Sequence, residues 1–126
     1  MAGAGGVVWI PWYATILRGD LFADAVAEKA APASLRYGAT RYQVHRSRDD
    51  MYKITQMMWF PTQGQWYQYW EGPEMTEFRR RYAGKFQIPI SYIWHDEIGA
   101  AETGPEVAVH EGAPDPQNQP SPNLVS

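Results

Sequence analysis

Cysteine is absent from this chain of 126 residues. Disulfides, thiolate nucleophiles, iron–sulfur clusters and thiolate zinc sites are thereby excluded together, and the absence fits a cytoplasmic protein. The opening run MAGAGGVVWIPW has no basic leader, and Pro11 interrupts its apolar stretch. Neither a secretory signal nor a membrane span is expected, and so no membrane insertion. Serine and threonine nowhere stand in a G-x-S-x-G context. The glycines at 2–6 precede a strand rather than follow one, the wrong side for dinucleotide binding. The formal net charge of −3 supplies no electrostatic reason to expect nucleic acid.

Basic and aromatic residues are missing from one region in particular. From Gly99 to Ser126 the chain has no Lys, Arg or aromatic residue, but five of its ten prolines and four acids. Such a segment cannot bury enough apolar surface to offset its ordering entropy. The expected organisation is one domain over 1–98 and a Pro-rich acidic tail over 99–126, disordered or bound to a protein partner.

What the body does have is aromatic side chains. Residues 59–74, WFPTQGQWYQYWEGPE, hold three of the six tryptophans and two of the eight tyrosines. Upstream, residues 7–16 read as a strand with two apolar faces and an irregularity or bulge at Pro11. Asp20 is placed to cap a helix with Leu21, Phe22, Ala25 and Val26 on one stripe, ending at Pro32. Residues 40–46 and 51–60 form a hairpin through the polar turn SRDD. Residues 62–70 read as a short helix with Trp66, Tyr69 and Trp70 on one side, broken at Gly72. Pro73 starts another helix, whose end carries Arg79, Arg80 and Arg81 as a solvated, dipole-matched cluster. A fourth strand over 88–98 places Ile88, Ile90, Tyr92 and Trp94 on one face.

The resulting order, β-α-β-β-α-β, is the α+β ferredoxin-like arrangement, with an antiparallel sheet ordered 4-1-3-2 and both helices on one side. A two-sided apolar first strand then needs cover on the helix-free side. A second copy of the chain, sheet against sheet, is the economical source, so a homodimer is expected.

This order of elements, with Trp59, Trp66, Trp70, Gly72 and Pro73 running from the third strand into the second helix, resembles the antibiotic biosynthesis monooxygenase-like proteins. The resemblance covers residues 7–98. It implies a dimeric α+β barrel with a pocket between sheet and helices, and a family that includes cofactor-independent oxygenases of quinols and polyketides as well as haem-degrading enzymes. The haem-degrading branch expects a histidine two turns beyond Trp70, where this chain has Phe78 and Arg79, so no haem, metal or organic cofactor is expected. His45 and His95 lie on opposite edges of the expected sheet, which argues against a histidine metal site.

An aromatic-lined site for an aromatic or quinol-like small molecule remains. Trp66 and Trp70, with Trp12 and Trp59, are the candidate ligand-binding residues. Gln56 or Arg41 would hydrogen-bond a substrate oxygen, and His45 would accept a proton. Core packing is the plainer reading of aromatics at i, i+3 and i+4. Two functional classes therefore stay open: a small-molecule-binding, cofactor-independent oxygenase, and a non-catalytic assembly subunit that uses the barrel dimer as scaffold and residues 99–126 as a partner-binding arm.

Overall fold

Alternation along β1 (Gly6–Tyr13) sends Val8, Ile10 and Trp12 into the core and Trp9, Pro11 and Tyr13 to the other side. The computed structural model describes residues 5–110 and 112; the parts of the expected tail at 111 and 113–126, and residues 1–4, lie outside the described residues. β1 pairs antiparallel with β3 (Lys53–Phe60) along its whole length, from Gly6 opposite Phe60 to Tyr13 opposite Lys53. β2 (Arg41–Arg46) flanks β3, β4 (Ile93–His95) flanks β1, and the order β2-β3-β1-β4 is the expected one.

Pro11 makes no bulge, contrary to expectation. The register runs through it to Thr55, and β4 reaches only to Trp9. Between Trp9 and Tyr13 that edge of β1 has no partner, so a residue with no N–H removes no ladder bond there.

Residues 88–98 form a much shorter strand than expected. Only Ile93–His95 form a ladder with β1; the Gln87 N–H donates to Tyr13 O at 2.7 Å, and 88–92 run without strand pairing through a bend at Ile88 and Pro89. Pro89 has no donor to offer a ladder, and Ile88 stands exposed rather than joining an inward face. Ile90 and Trp94 do pack on the core.

The first helical stretch also departs from the sequence pattern. α1 (Gly19–Ala25) passes into a π-helical turn (Val26–Ala30), a short α2 (Ala31–Ala33) and a 3-10 turn (Ser34–Tyr37), so the chain stays helical through Pro32. The wider π turn just before it absorbs the missing N–H and the bulk of the ring. Phe22, Ala25 and Val26 form the expected buried stripe, but Leu21 does not join it. Asp20 is not the cap: Arg18 holds that position without a side-chain bond, and Asp20, in the first turn, receives Arg46 Nη1 at 2.8 Å.

α3 (Gln63–Glu71) begins where the Thr62 hydroxyl accepts the Gln65 N–H at 3.1 Å, and Gly72 separates it from α4 (Pro73–Arg81). Trp66 and Tyr69 are fully buried and Trp70 is half-buried. The β2–β3 turn forms as expected, with Ser47 Oγ accepting the N–H groups of Asp49 and Asp50. All helices lie on one face of the sheet, over Tyr42, Val44, Ile54, Gln56, Met58 and Phe60. Among the described residues no helix is long and apolar enough to cross a membrane.

One surface pair ties the first helical stretch to α4. Arg36 Nε donates to Glu74 Oε2 at 3.0 Å, and Nη2 donates to the same oxygen. That bonding holds the Glu74 carboxyl below its ordinary value of 4.5. A depressed carboxyl adds stability above its unfolded pKa and loses it as pH falls through the folded one. Glu74→Gln is therefore expected to lower the urea midpoint slightly at pH 7, where the contribution is fully present, and to converge with the wild type in acid, where the wild type has lost it; the effect is small because the pair is exposed.

Candidate functional site

Two polar arrangements lie between sheet and helices, and they differ in whether their donors are satisfied. The first is a chain of hydrogen bonds through the core. Trp12 Nε1 donates to Gln56 Oε1 at 2.9 Å, Gln56 Nε2 donates to the Tyr69 hydroxyl at 2.9 Å, and that hydroxyl donates to the Ala30 carbonyl at 2.5 Å. The Ala30 carbonyl can accept because the Ser34 N–H turns instead to Ala31, tightening the helix end. Burial pushes the Tyr69 phenol well above its ordinary pKa, so it stays a neutral donor. With both ends of the Gln56 amide committed, this chain joins four segments and leaves no group free for a ligand.

The second arrangement is an aromatic box with unpaired donors. The Trp66 and Trp70 rings stack with centroids 5.4 Å apart, one helical turn of α3 holding them in line. Tyr92, from the unpaired segment before β4, meets Trp66 edge-on at 4.9 Å and Trp70 at 5.8 Å. Arg79 from α4 lies over the Trp70 ring at 4.1 Å. Burial lowers the Arg79 pKa, yet a guanidinium keeps its charge at any ordinary pH. Trp66 Nε1 and Arg79 Nη1 are both buried and neither has a hydrogen-bond partner. Arg79 therefore corrects the expectation of a fully solvated arginine triplet; Arg80 and Arg81 remain exposed, Arg80 paired with Glu77.

The candidate residues divide between the two faces of the sheet. Trp12, Gln56, Trp66 and Trp70 come together on the helix side. Arg41, His45 and Trp59 lie on the other: Arg41 stacks on the Trp59 ring at 4.1 Å, Trp59 Nε1 donates to Glu97 at 2.8 Å, and His45 is exposed beside Gln43. Arg41 and His45 thus lie across the sheet from Trp66 and Trp70. His45 and His95 sit on opposite edge strands. Among the described residues no three His, Asp or Glu side chains converge as a metal site requires.

Sequence reasoning missed Arg79 and the packing of Tyr92 on Trp66 and Trp70. The parity of Tyr92 with Trp94 was a usable signal; nothing in the arginine triplet singled out its first member. Open grooves exist elsewhere. One of about 490 Å³ lies between the first helical stretch and α4, over Pro32, Met75 and Phe78; another of about 540 Å³ lies beside Trp59 and Pro61. Neither is lined by Trp66 or Trp70.

No protein-family model matches the chain, and no curated protein matches it by sequence. Solved structures do match in fold. A provisionally named antibiotic biosynthesis monooxygenase from Nitrosomonas europaea superposes with a TM-score of 0.68 at 16% identity, covering 78% of this chain and 94% of its own. A Pseudomonas aeruginosa protein does so with 0.66 at 11%, covering 79% and 99%. SnoaB, a cofactor-independent oxygenase from Streptomyces nogalater, gives 0.59 at 12%, covering 82% and 99%.

Proposed function

We propose that this chain, which has the fold of the antibiotic biosynthesis monooxygenase-like proteins, binds an aromatic or quinol-like molecule in the Trp66–Trp70–Tyr92 box and oxidises it without metal or organic cofactor. The observation that carries this reading is the pair of buried, unpartnered donors, Trp66 Nε1 and Arg79 Nη1. A buried donor without a partner costs stability, and an oxygen of an anionic ligand would satisfy either one. Cofactor-free oxygenation needs an electron-rich substrate held as its anion, shielded from water, so that it can pass an electron to dioxygen. An indole N–H and a guanidinium stabilise such an anion, and the stacked indoles hold its ring.

Trp66→Phe tests this. The variant loses the unpaired donor and keeps an aromatic ring, so we expect roughly tenfold weaker binding of a hydroxylated anthrone or quinol, measured by quenching of tryptophan fluorescence. Oxygen uptake should fall in parallel. Trp66 is buried against Phe60, Tyr69, Trp70 and Tyr92, so the smaller ring also lowers stability, and binding is compared where both proteins are fully folded. If no member of an anthrone and quinol series quenches the wild-type protein or consumes oxygen, the reading fails.

The reading includes a homodimer. On the helix-free face Trp9 is 41% exposed and Ile93 52%, with Met57 and Trp59 beside them in adjacent register. A second copy laid sheet to sheet would cover this patch and bring Arg41 and His45 into the interface. We expect Trp9→Lys to convert a dimer to a monomer in sedimentation velocity, and the wild-type Tm to rise with protein concentration.

The assembly-subunit reading is favoured by a different observation: Ile98, Val107 and Val109 stand exposed along the extended chain beyond β4. On that reading residues 99–126 are an arm for a protein partner. Deleting them would abolish partner binding and leave ligand binding in the box unchanged.

A further inference from the structure

The aromatic box is closed to solvent at its inner ring. Trp66 is 0% exposed, and the unpartnered donors of Trp66 and Arg79 are buried, so a ligand reaches them only after a covering group moves aside. Four rings pack on Trp66: Phe60, Tyr69, Trp70 and Tyr92. Phe60 and Tyr69 are themselves buried, Tyr69 with its hydroxyl bonded to Gln56 and Ala30, and Trp70 shares α3 with Trp66. Tyr92 is 39% exposed and stands outside both helix and strand.

The segment that carries Tyr92 is a strap tied to β1 at both ends. Phe86 bridges to Ala14 and the Gln87 N–H bonds Tyr13 O at one end, and Ile93 lies opposite Trp9 at the other. Between Phe86 and Ile93 the strap takes seven residue steps where β1, from Ala14 to Trp9, takes five. It therefore carries slack. Among the described residues no backbone hydrogen bond outside the strand ladder involves 88–92. Ile90 pegs the middle of the strap on the core, while Ile88 stands exposed. Unpaired backbone with few buried side chains belongs to the low end of local stability, where segments open without global unfolding.

We propose that Tyr92 is the door of the box and holds the place of its ligand, a phenol-type ring ionised at its oxygen; this rests on the reading that the box binds an aromatic molecule. The Tyr92 ring swings outward, and the ligand ring takes up the contacts on Trp66 and Trp70 that Tyr92 gives up. One aromatic ring replaces another, so the packing energy nearly cancels. The oxygen then decides the exchange. It meets Trp66 Nε1 or Arg79 Nη1, which the Tyr92 side chain leaves without a partner, and a charged acceptor makes the stronger bond. The box thus selects phenolates over their O-methyl ethers.

Exchange of tryptophan indole N–H protons into deuterated water, followed by NMR on the full chain, tests the door without a ligand. In Tyr92→Ala the Trp66 Nε1–H should exchange roughly tenfold faster or more than in the wild type, while the Trp12 Nε1–H, bonded to Gln56 in the core, keeps its rate. Tyr92→Phe keeps the ring and should keep the wild-type rate. An unchanged rate at Trp66 overturns the proposal, as does an equal rise at Trp66 and Trp12, which marks a loosened core. Titration with a quinol series and its O-methyl ethers tests the exchange of rings. Tyr92→Ala should bind the free quinols about threefold to tenfold more tightly than the wild type, because no internal ring competes, and neither protein should take the ethers. Weaker quinol binding by Tyr92→Ala overturns the placeholder. Faster exchange at Trp66 with no quinol bound by either protein upholds the door and overturns the ligand reading on which the rest stands.

Discussion

Trp12→Ala is expected to lower the unfolding free energy by about 3–5 kcal/mol, a large share of the roughly 5–15 kcal/mol that holds a domain of this kind together. Trp12 sits in an interior strand, is 1% exposed, and packs against Phe22, Trp70, Phe78 and Phe86 at centroid distances of 5.2–5.9 Å. Its removal opens a cavity among rings contributed by helices and by the chain before β4. It also leaves Gln56 Oε1 without its donor in a dry interior. Trp12→Phe should be milder, since it keeps most of the packing and loses the hydrogen bond. Urea unfolding followed by circular dichroism separates the two, and a loss under 1 kcal/mol for the alanine variant would contradict this account of the core.

The second large effect is expected at Gly72, between α3 and α4. Its φ of −73° suits any residue, so the requirement is for space rather than for backbone freedom. A Cβ there would lie 2.5 Å from the Gln68 carbonyl oxygen and 3.0 Å from the Tyr37 hydroxyl. Gly72→Val must push the two helices apart or displace Tyr37, whose ring packs on Tyr69. A cost of about 1–3 kcal/mol follows. Because α3 carries Trp66 and Trp70 while α4 carries Arg79, ligand binding in the box should weaken with it. Stability equal to wild type in Gly72→Ala would show that the helix junction tolerates the crowding.

Much of this architecture was legible in the residues. Alternation marks β1 and β3, the SRDD turn marks the hairpin, and Thr62, Gly72 and Pro73 punctuate the helices, so the element order and the strand order could be read directly. Readings failed where one local signal was opposed by another element. Pro32 looked like a terminator because the π turn before it leaves no mark in the sequence. The stretch at 88–98 looked like a long strand because its apolar residues alternate, but pairing also needs a partner edge, and Pro89 lies where the ladder has not begun.

The site was legible only in part. Trp66 and Trp70 were visible as a pair on one helix face. The alternation that buries Gln56 also puts Trp59 on the opposite side of β3, a signal that would have separated Arg41 and His45 from the aromatic box. The Trp12–Gln56–Tyr69–Ala30 chain spans four segments distant in sequence, and the lone donors of Trp66 and Arg79 are defined by what fails to reach them. Neither leaves a trace in spacing.

The position of β1 sets the order in which this chain can acquire its shape. It is the first strand in the sequence and one of the two interior strands of the sheet, where Val8 pairs with Met58 on one side and Trp94 on the other. The hairpin of β2 and β3 closes over a short turn and can form early, whereas β1 must wait for segments made long after it. During synthesis its two-sided apolar run emerges with nothing to pair against. Any aggregation of the nascent chain is expected to centre on Val7–Trp12, and a trap that binds extended apolar segments would find its target there before β3 is complete.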